Sequence, residues 1–167
     1  MKNFILLLAL FACEHNSNPV SKIVDSISTQ SADTKTSDPQ ILSVSEAFME
    51  LINDHRRSLG LNPLISDSSM DEIATKHSED MASHLIPFGH LGFSLRCSEA
   101  RSALGGGNLC AENVAEGQDS AQSVYNAWMN SPGHRANIEN IRVTHSGFGF
   151  KQDLKGTYYW THIFLER

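Results

Sequence analysis

Residues 127–138 read A-W-M-N-S-P-G-H-R-A-N-I, and this stretch decides how the chain folds. It closes one helix and opens another. Ala121, Val124, Tyr125 and Trp128 recur at helical spacing and make one apolar face. Ser131 is expected to cap the next helix, and Pro132 suits its first turn, where a missing N–H costs nothing. Gly133 allows other backbone to come close. His134 then stands on a first helical turn, whose positive end is expected to lower the imidazole pKa and favour its neutral form. A neutral imidazole binds a metal or accepts a proton. The alternative is a capping turn in which His134 only hydrogen-bonds and fixes a loop. What else converges on His134 decides between them.

The 167 residues suffice for one domain and a tail. A hydrophobic fraction of 40% supports a core, and a formal charge of −6 argues against nucleic acid as a partner. Eight histidines make a metal site worth weighing. Residues 1–12 read as a signal peptide, with a charged start and an apolar run too short to span a bilayer. Leu10-Phe11-Ala12-Cys13 resembles a lipoprotein box with Cys13 as the lipidated residue, although Phe11 is bulky for that position. A plain secretory signal is the alternative. Export places Cys97 and Cys110 outside the reducing cytosol, where they are expected to pair. Such a short bridge typically stabilises by about 3 kcal/mol.

Residues 13–42 are rich in Ser, Thr, Asp and Asn and read as a flexible tether. The folded domain is expected over 43–167. Ser43 and Glu46 form a capping-box pattern ahead of a helical stripe of Val44, Ala47, Phe48, Leu51, Ile52 and Leu59, ended by Gly60. His55 falls on that stripe and reads as a core residue. A second helix is expected from Ser68 or Ser69, with His77 at the core or rim and His84 at the helix end. His90 lies in Phe88-Gly89-His90-Leu91-Gly92, a glycine-rich turn that exposes the ring to a cleft or to solvent. From there to Cys110 the chain reads as an irregular loop. Glu112 and Asn113 follow in a small-residue context, and Asp119 or Ser120 can cap the helix leading to Trp128.

Strands are expected over 143–150 and 156–164, joined by a hairpin turn. Tyr158, Trp160, His162 and Phe164 alternate with Tyr159, Thr161, Ile163 and Leu165. Both faces are largely apolar, which points to a central strand covered on both sides. His162 reads as buried and hydrogen-bonded.

These motifs together resemble the CAP superfamily (cysteine-rich secretory proteins, antigen 5 and pathogenesis-related 1 proteins), in its bacterial single-domain branch. The resemblance is carried by Asn53 with Arg56, Phe88-Gly89-His90, Ala111-Glu112-Asn113-Val114-Ala115, Trp128 with residues 131–138, Gly147-Phe148-Gly149 and Trp160-Thr161-His162-Ile163-Phe164. It implies an α+β fold, a three-layer α-β-α sandwich around an antiparallel sheet, with a central cleft. In the wider family two histidines and two glutamates line that cleft. His90, Glu112 and His134 match three of the four; near Ser131 no carboxylate matches the second glutamate. Ala111 replaces a usual glycine, and His162 a glutamine common in bacterial relatives.

His90, Glu112 and His134 are thus the candidate catalytic or metal-ligating residues. Two histidines and a carboxylate make a workable set for zinc or another divalent metal. Three functions follow as expectations. The first is a monomeric binding module of the cell envelope, periplasmic, surface-exposed or secreted, held by a lipid on Cys13 and engaging an envelope, lipid or polysaccharide ligand. The second is a hydrolase, using a zinc-activated water or Ser131 or Ser146 as nucleophile. No G-x-S-x-G or H-E-x-x-H motif supports it. The third is a structural polar cluster without a ligand.

Overall fold

The computed structural model describes residues 39–167, with side chains from residue 44. The signal-peptide reading, the Cys13 lipidation reading and most of the expected tether lie outside the described residues.

Helix α1 spans Pro39–Ser58. It starts ahead of Ser43, so Ser43 lies within the helix and does not cap it. Its buried face is Phe48, Ile52 and Arg56 at four-residue spacing, whereas Leu59 lies exposed beyond the helix end. The short strand β1, Ile65–Ser66, leads into α2, Ser68–Ala82. Asp67 caps α2 by accepting the Met70 N–H. Helix α3, Phe93–Leu104, occupies most of the stretch expected to be irregular. Gly92 and Gly105 bound it in left-handed conformation. Strand β2 is Cys110–Glu116. Helix α4, Ala121–Met129, begins with a capping box between Ser120 and Ser123. Helix α5, Pro132–Ile138, follows at once. Ser131 precedes it without making a side-chain cap bond. Strands β3, His145–Gln152, and β4, Tyr158–Leu165, form the hairpin.

The sheet order is β1-β3-β4-β2, so β4 is interior as its two apolar faces require. Strands β2, β3 and β4 are antiparallel, but β1 runs parallel to β3. The sheet is therefore mixed, because the chain returns from β1 to β3 by a crossover that contains helices. Phe148, Trp160 and Phe164 on one face pack with Phe48 of α1, Val124 and Trp128 of α4 and Ile138 of α5. Phe48 stacks on Phe148 at 3.8 Å between centroids. Each such burial stabilises by about 1.5–3 kcal/mol. Ile163 and Leu165 on the other face meet Met70 and Ala74 of α2 and Ala100 and Leu104 of α3. Helices thus cover both faces, giving the α-β-α sandwich.

Gly147 and Gly149 set the helix–sheet spacing. A Cβ on Gly147 would fall 2.2 Å from the Met70 carbonyl carbon, and one on Gly149 would fall 2.2 Å from the Thr75 nitrogen. Arg56 fixes the opposite side. Its guanidinium is buried and donates to the carbonyls of Asn62, Ile138, Asn140 and Val143. Burial lowers its pKa. Asn53 clips the chain after α1 by exchanging two hydrogen bonds with the Leu64 backbone. The Asn53 and Arg56 motif therefore serves the fold. Cys97 and Cys110 form a disulfide that ties α3 to β2. No helix among the described residues is long and apolar enough to cross a membrane.

Candidate functional site

The site lies at β2, the edge strand that ends the sheet at one side. Alternation along β2 sends Glu112 towards α3 and Asn113 towards α5. Glu112 accepts from Arg96 of α3 and from His90. Asn113 donates its amide to the His134 carbonyl at 3.0 Å and accepts from Asn137 at 2.8 Å. Asn137 also reaches the Glu112 carbonyl at 3.4 Å. The tie from β2 to α5 is therefore a short amide network, and it holds His134 in place by its backbone.

On the other side His90 Nδ1 stands 2.9 Å from Glu112 Oε1. A carboxylate accepts, so the neutral His90 ring holds its proton on Nδ1 and leaves Nε2 as the open ring nitrogen. The His90 side chain is 51% exposed, and that of Glu112 is 1% exposed. Arg96 donates Nε to Glu112 Oε2 at 2.6 Å and Nη2 to Oε1 at 2.8 Å. This two-point fork is the strong form of an arginine–carboxylate pair. Both Glu112 oxygens are thereby engaged. His90, Phe93, Cys110, Ala111, Glu112 and Asn137 line a cavity of about 300 Å³. A larger depression of about 530 Å³ lies between α2 and α3, behind Arg96 and His77.

His134 is half-buried, with its ring 6.3 Å from the Trp128 indole. Its pKa is lowered, first by desolvation and then by the charge of His90. The direction matches the sequence expectation, but the cause is burial and a neighbouring imidazole. The structure thus brings His90 and Glu112 into contact and places His134 within electrostatic reach of His90.

Among the described residues no group of three or more His, Cys, Asp or Glu side chains could hold a metal ion. Glu112 does not fit as a third ligand, because Arg96 and His90 occupy its oxygens. The nucleophile alternative loses Ser146, which is fully buried with its hydroxyl against Met49 Sδ.

The other histidines are assigned by their partners. His77 is buried and donates Nε2–H to the Gly89 carbonyl, and its pKa is lowered chiefly by burial. His55 sits at the rim, 2.9 Å from Glu139. His84 adopts positive φ just after α2. His162 is fully buried as expected, but neither ring nitrogen has a partner. It packs among Phe48, Trp128, Phe148 and Phe164. Burial drives its pKa down to about 3.

Arg96 was not among the residues singled out in the sequence. Its placement depends on α3, whose buried face is Arg96, Cys97, Ala100 and Leu104. That spacing was the available signal, but only Leu104 on this face is large and apolar.

Residues 49–164 match the model of the CAP family, described as the cysteine-rich secretory protein family. The chain belongs to the CAP family. Its bacterial CAP relatives include the uncharacterized protein YkwD of Bacillus subtilis (strain 168), 34% identical over 142 residues. That match covers 81% of this chain and 52% of YkwD, so the chain spans about half the length of that curated relative. The fold is shared with an outer surface protein from Borrelia burgdorferi, at a TM-score of 0.65 and 22% identity. That alignment covers 75% of this chain and 93% of the other. It is shared also with the CAP-like structure of NaASP2 with Zn2+, at a TM-score of 0.57 and 13% identity over 80% and 82% of the two chains.

Proposed function

We propose that this CAP domain is an extracytoplasmic binding module, in which His90 Nε2 and the His134 ring take a divalent cation, zinc foremost, without turnover. The observation that carries this reading is the state of Glu112. Its oxygens are engaged by Arg96 and by His90 Nδ1. Locked in this way, Glu112 is poorly placed to act as a general base, but it suits the role of a carboxylate that orients a metal-binding histidine. The lowered pKa of His134 keeps that ring neutral near pH 7, as a ligand must be. NaASP2 was solved with Zn2+, which supports zinc as the first ion to test.

A bound cation would supply a Lewis-acidic contact for an oxygen donor of the ligand. Phe93 lines the same cavity as His90 and Glu112 and would add apolar contact. Together they suit an envelope, lipid or polysaccharide ligand. A lipid on Cys13 would hold the module at the membrane, facing the periplasm or the exterior. The borrelial relative's description as an outer surface protein is consistent with that location.

The test is thermal melting of the full chain with zinc and with chelator, beside His90→Ala and His134→Ala. A cation that binds only the folded state raises the melting temperature in proportion to the logarithm of its concentration. The expected result is a zinc-dependent rise that both variants abolish. Equal melting with zinc and chelator in the wild type would refute the cation site.

A further inference from the structure

We infer that Arg96 is the positioning residue of this cleft: its guanidinium locks Glu112 as acceptor for His90 Nδ1–H and so presents His90 Nε2 to the ligand. The inference rests on His90 being a cleft ligand through Nε2.

The contacts of Arg96 carry this role. The residue is buried, and its three nitrogens all donate. Two donate to the two oxygens of Glu112. The third, Nη1, donates to the Leu91 carbonyl at 2.7 Å. Leu91 follows His90 directly, so one guanidinium holds both the carboxylate that His90 touches and the backbone beside it. On the other side of His90, the Gly89 carbonyl accepts from His77 at 2.9 Å. The backbone of His90 is therefore bracketed by two side chains on the far side of the loop from the cleft. Gly92 leaves room for this arrangement. A Cβ there would come 3.2 Å from Arg96 Nη1, at a φ of +81°.

A mere counter-charge for a buried carboxylate needs none of this geometry. A lysine would neutralise Glu112 but cannot form the planar fork to both oxygens and reach Leu91 as well. The fork holds the carboxylate in place beside His90 Nδ1, and an acceptor fixed there keeps the ring proton on that nitrogen. Without it, the ring has no fixed acceptor at Nδ1, and the proton is free to move to Nε2, where it would block the lone pair.

The test reads the His90 tautomer directly. Nitrogen-resolved NMR of the metal-free full chain, with the rings neutral, identifies His90 by the signals lost in His90→Ala. The wild type is expected to carry the proton on Nδ1. Arg96→Lys, which keeps the charge, and Glu112→Gln are both expected to shift the population towards the Nε2–H form. A wild-type ring protonated at Nε2, or an Arg96→Lys ring with the wild-type tautomer, would overturn the inference. Should Arg96→Lys fail to fold, Arg96→Gln is read in its place: a shift towards Nε2–H supports the lock, and an unchanged Nδ1–H ring overturns it.

Cobalt titration separates this inference from the cation reading. Loss of an orienting partner costs roughly 10–100-fold in metal affinity. Arg96→Lys is expected to weaken Co2+ binding by that factor. A wild type that binds no Co2+ yet shows the Nδ1–H ring and its loss in Arg96→Lys would refute the cation site and leave the positioning role intact. Unchanged Co2+ affinity and tautomer in Arg96→Lys would do the reverse.

Discussion

Asp71→Asn is expected to stabilise the protein above neutral pH and to change little in acid. Asp71 lies in the first turn of α2, half-buried, and accepts the Phe148 N–H of β3 at 2.8 Å. Desolvation raises its pKa from 3.8 to about 6, and the charge of Asp67 adds to the rise. A carboxyl whose folded pKa lies above its unfolded pKa binds its proton more tightly in the native state. It contributes stability that is fully present below pH 3.8 and lost as pH rises through about 6. The gap corresponds to about 3 kcal/mol at 1.36 kcal/mol per tenfold change. Partial solvent access screens the group and halves this to about 1.5 kcal/mol. Asparagine cannot ionise, and its amide oxygen still accepts from Phe148. Urea unfolding of both proteins at pH 4 and pH 8 is the assay. The variant should gain about 1.5 kcal/mol over wild type at pH 8 relative to its difference at pH 4. An offset equal at the two pH values would refute the desolvation argument.

Two further predictions concern packing. Gly149→Ala places a Cβ 2.2 Å from the Thr75 nitrogen, so α2 must lift from the sheet. Thermal melting should show a loss of roughly 3 kcal/mol or more, at the upper end of overpacking costs; a change near zero would mean that the helix is free to shift. His162→Phe removes two buried ring nitrogens that lack partners. The gain should be roughly 1 kcal/mol after some overpacking, and denaturant titration at pH 7 measures it. The His162 pKa is depressed from 6.5 to about 3, so its neutral form contributes stability above pH 6.5 that is lost as pH falls towards 3. His162→Phe should lack that loss, and an identical acid dependence in the two proteins would contradict it.

The parts of the fold legible in the sequence were those with strong local periodicity. The α4 stripe ending at Trp128, the start of α5 at Pro132 and the two-faced β4 strand all follow from spacing alone. Helix α3 was not legible, because small and polar residues dominate it and glycines flank it, which mimics a loop. Strand β2 was hidden for a related reason. In Cys110–Glu116 two of the four apolar positions are alanine, and the strand is set by its pairing with β4. At the site, the glycines around His90 announced an exposed ring, and the structure shows one. The capture of Glu112 by Arg96 was invisible without α3. A carboxylate with no visible partner reads as a metal ligand; once its partner is known, it reads as an orienting group. Burial of His162 followed from the alternation of β4, but its lack of a hydrogen-bond partner depends on neighbours contributed by other elements.

Calorimetric titration of zinc into the full chain, with His90→Ala and His134→Ala run in parallel, tests the cation site at His90 and His134. One zinc per chain is expected in the wild type, with binding lost in each variant. Absence of binding in the wild type, or binding that survives both substitutions, would contradict that assignment.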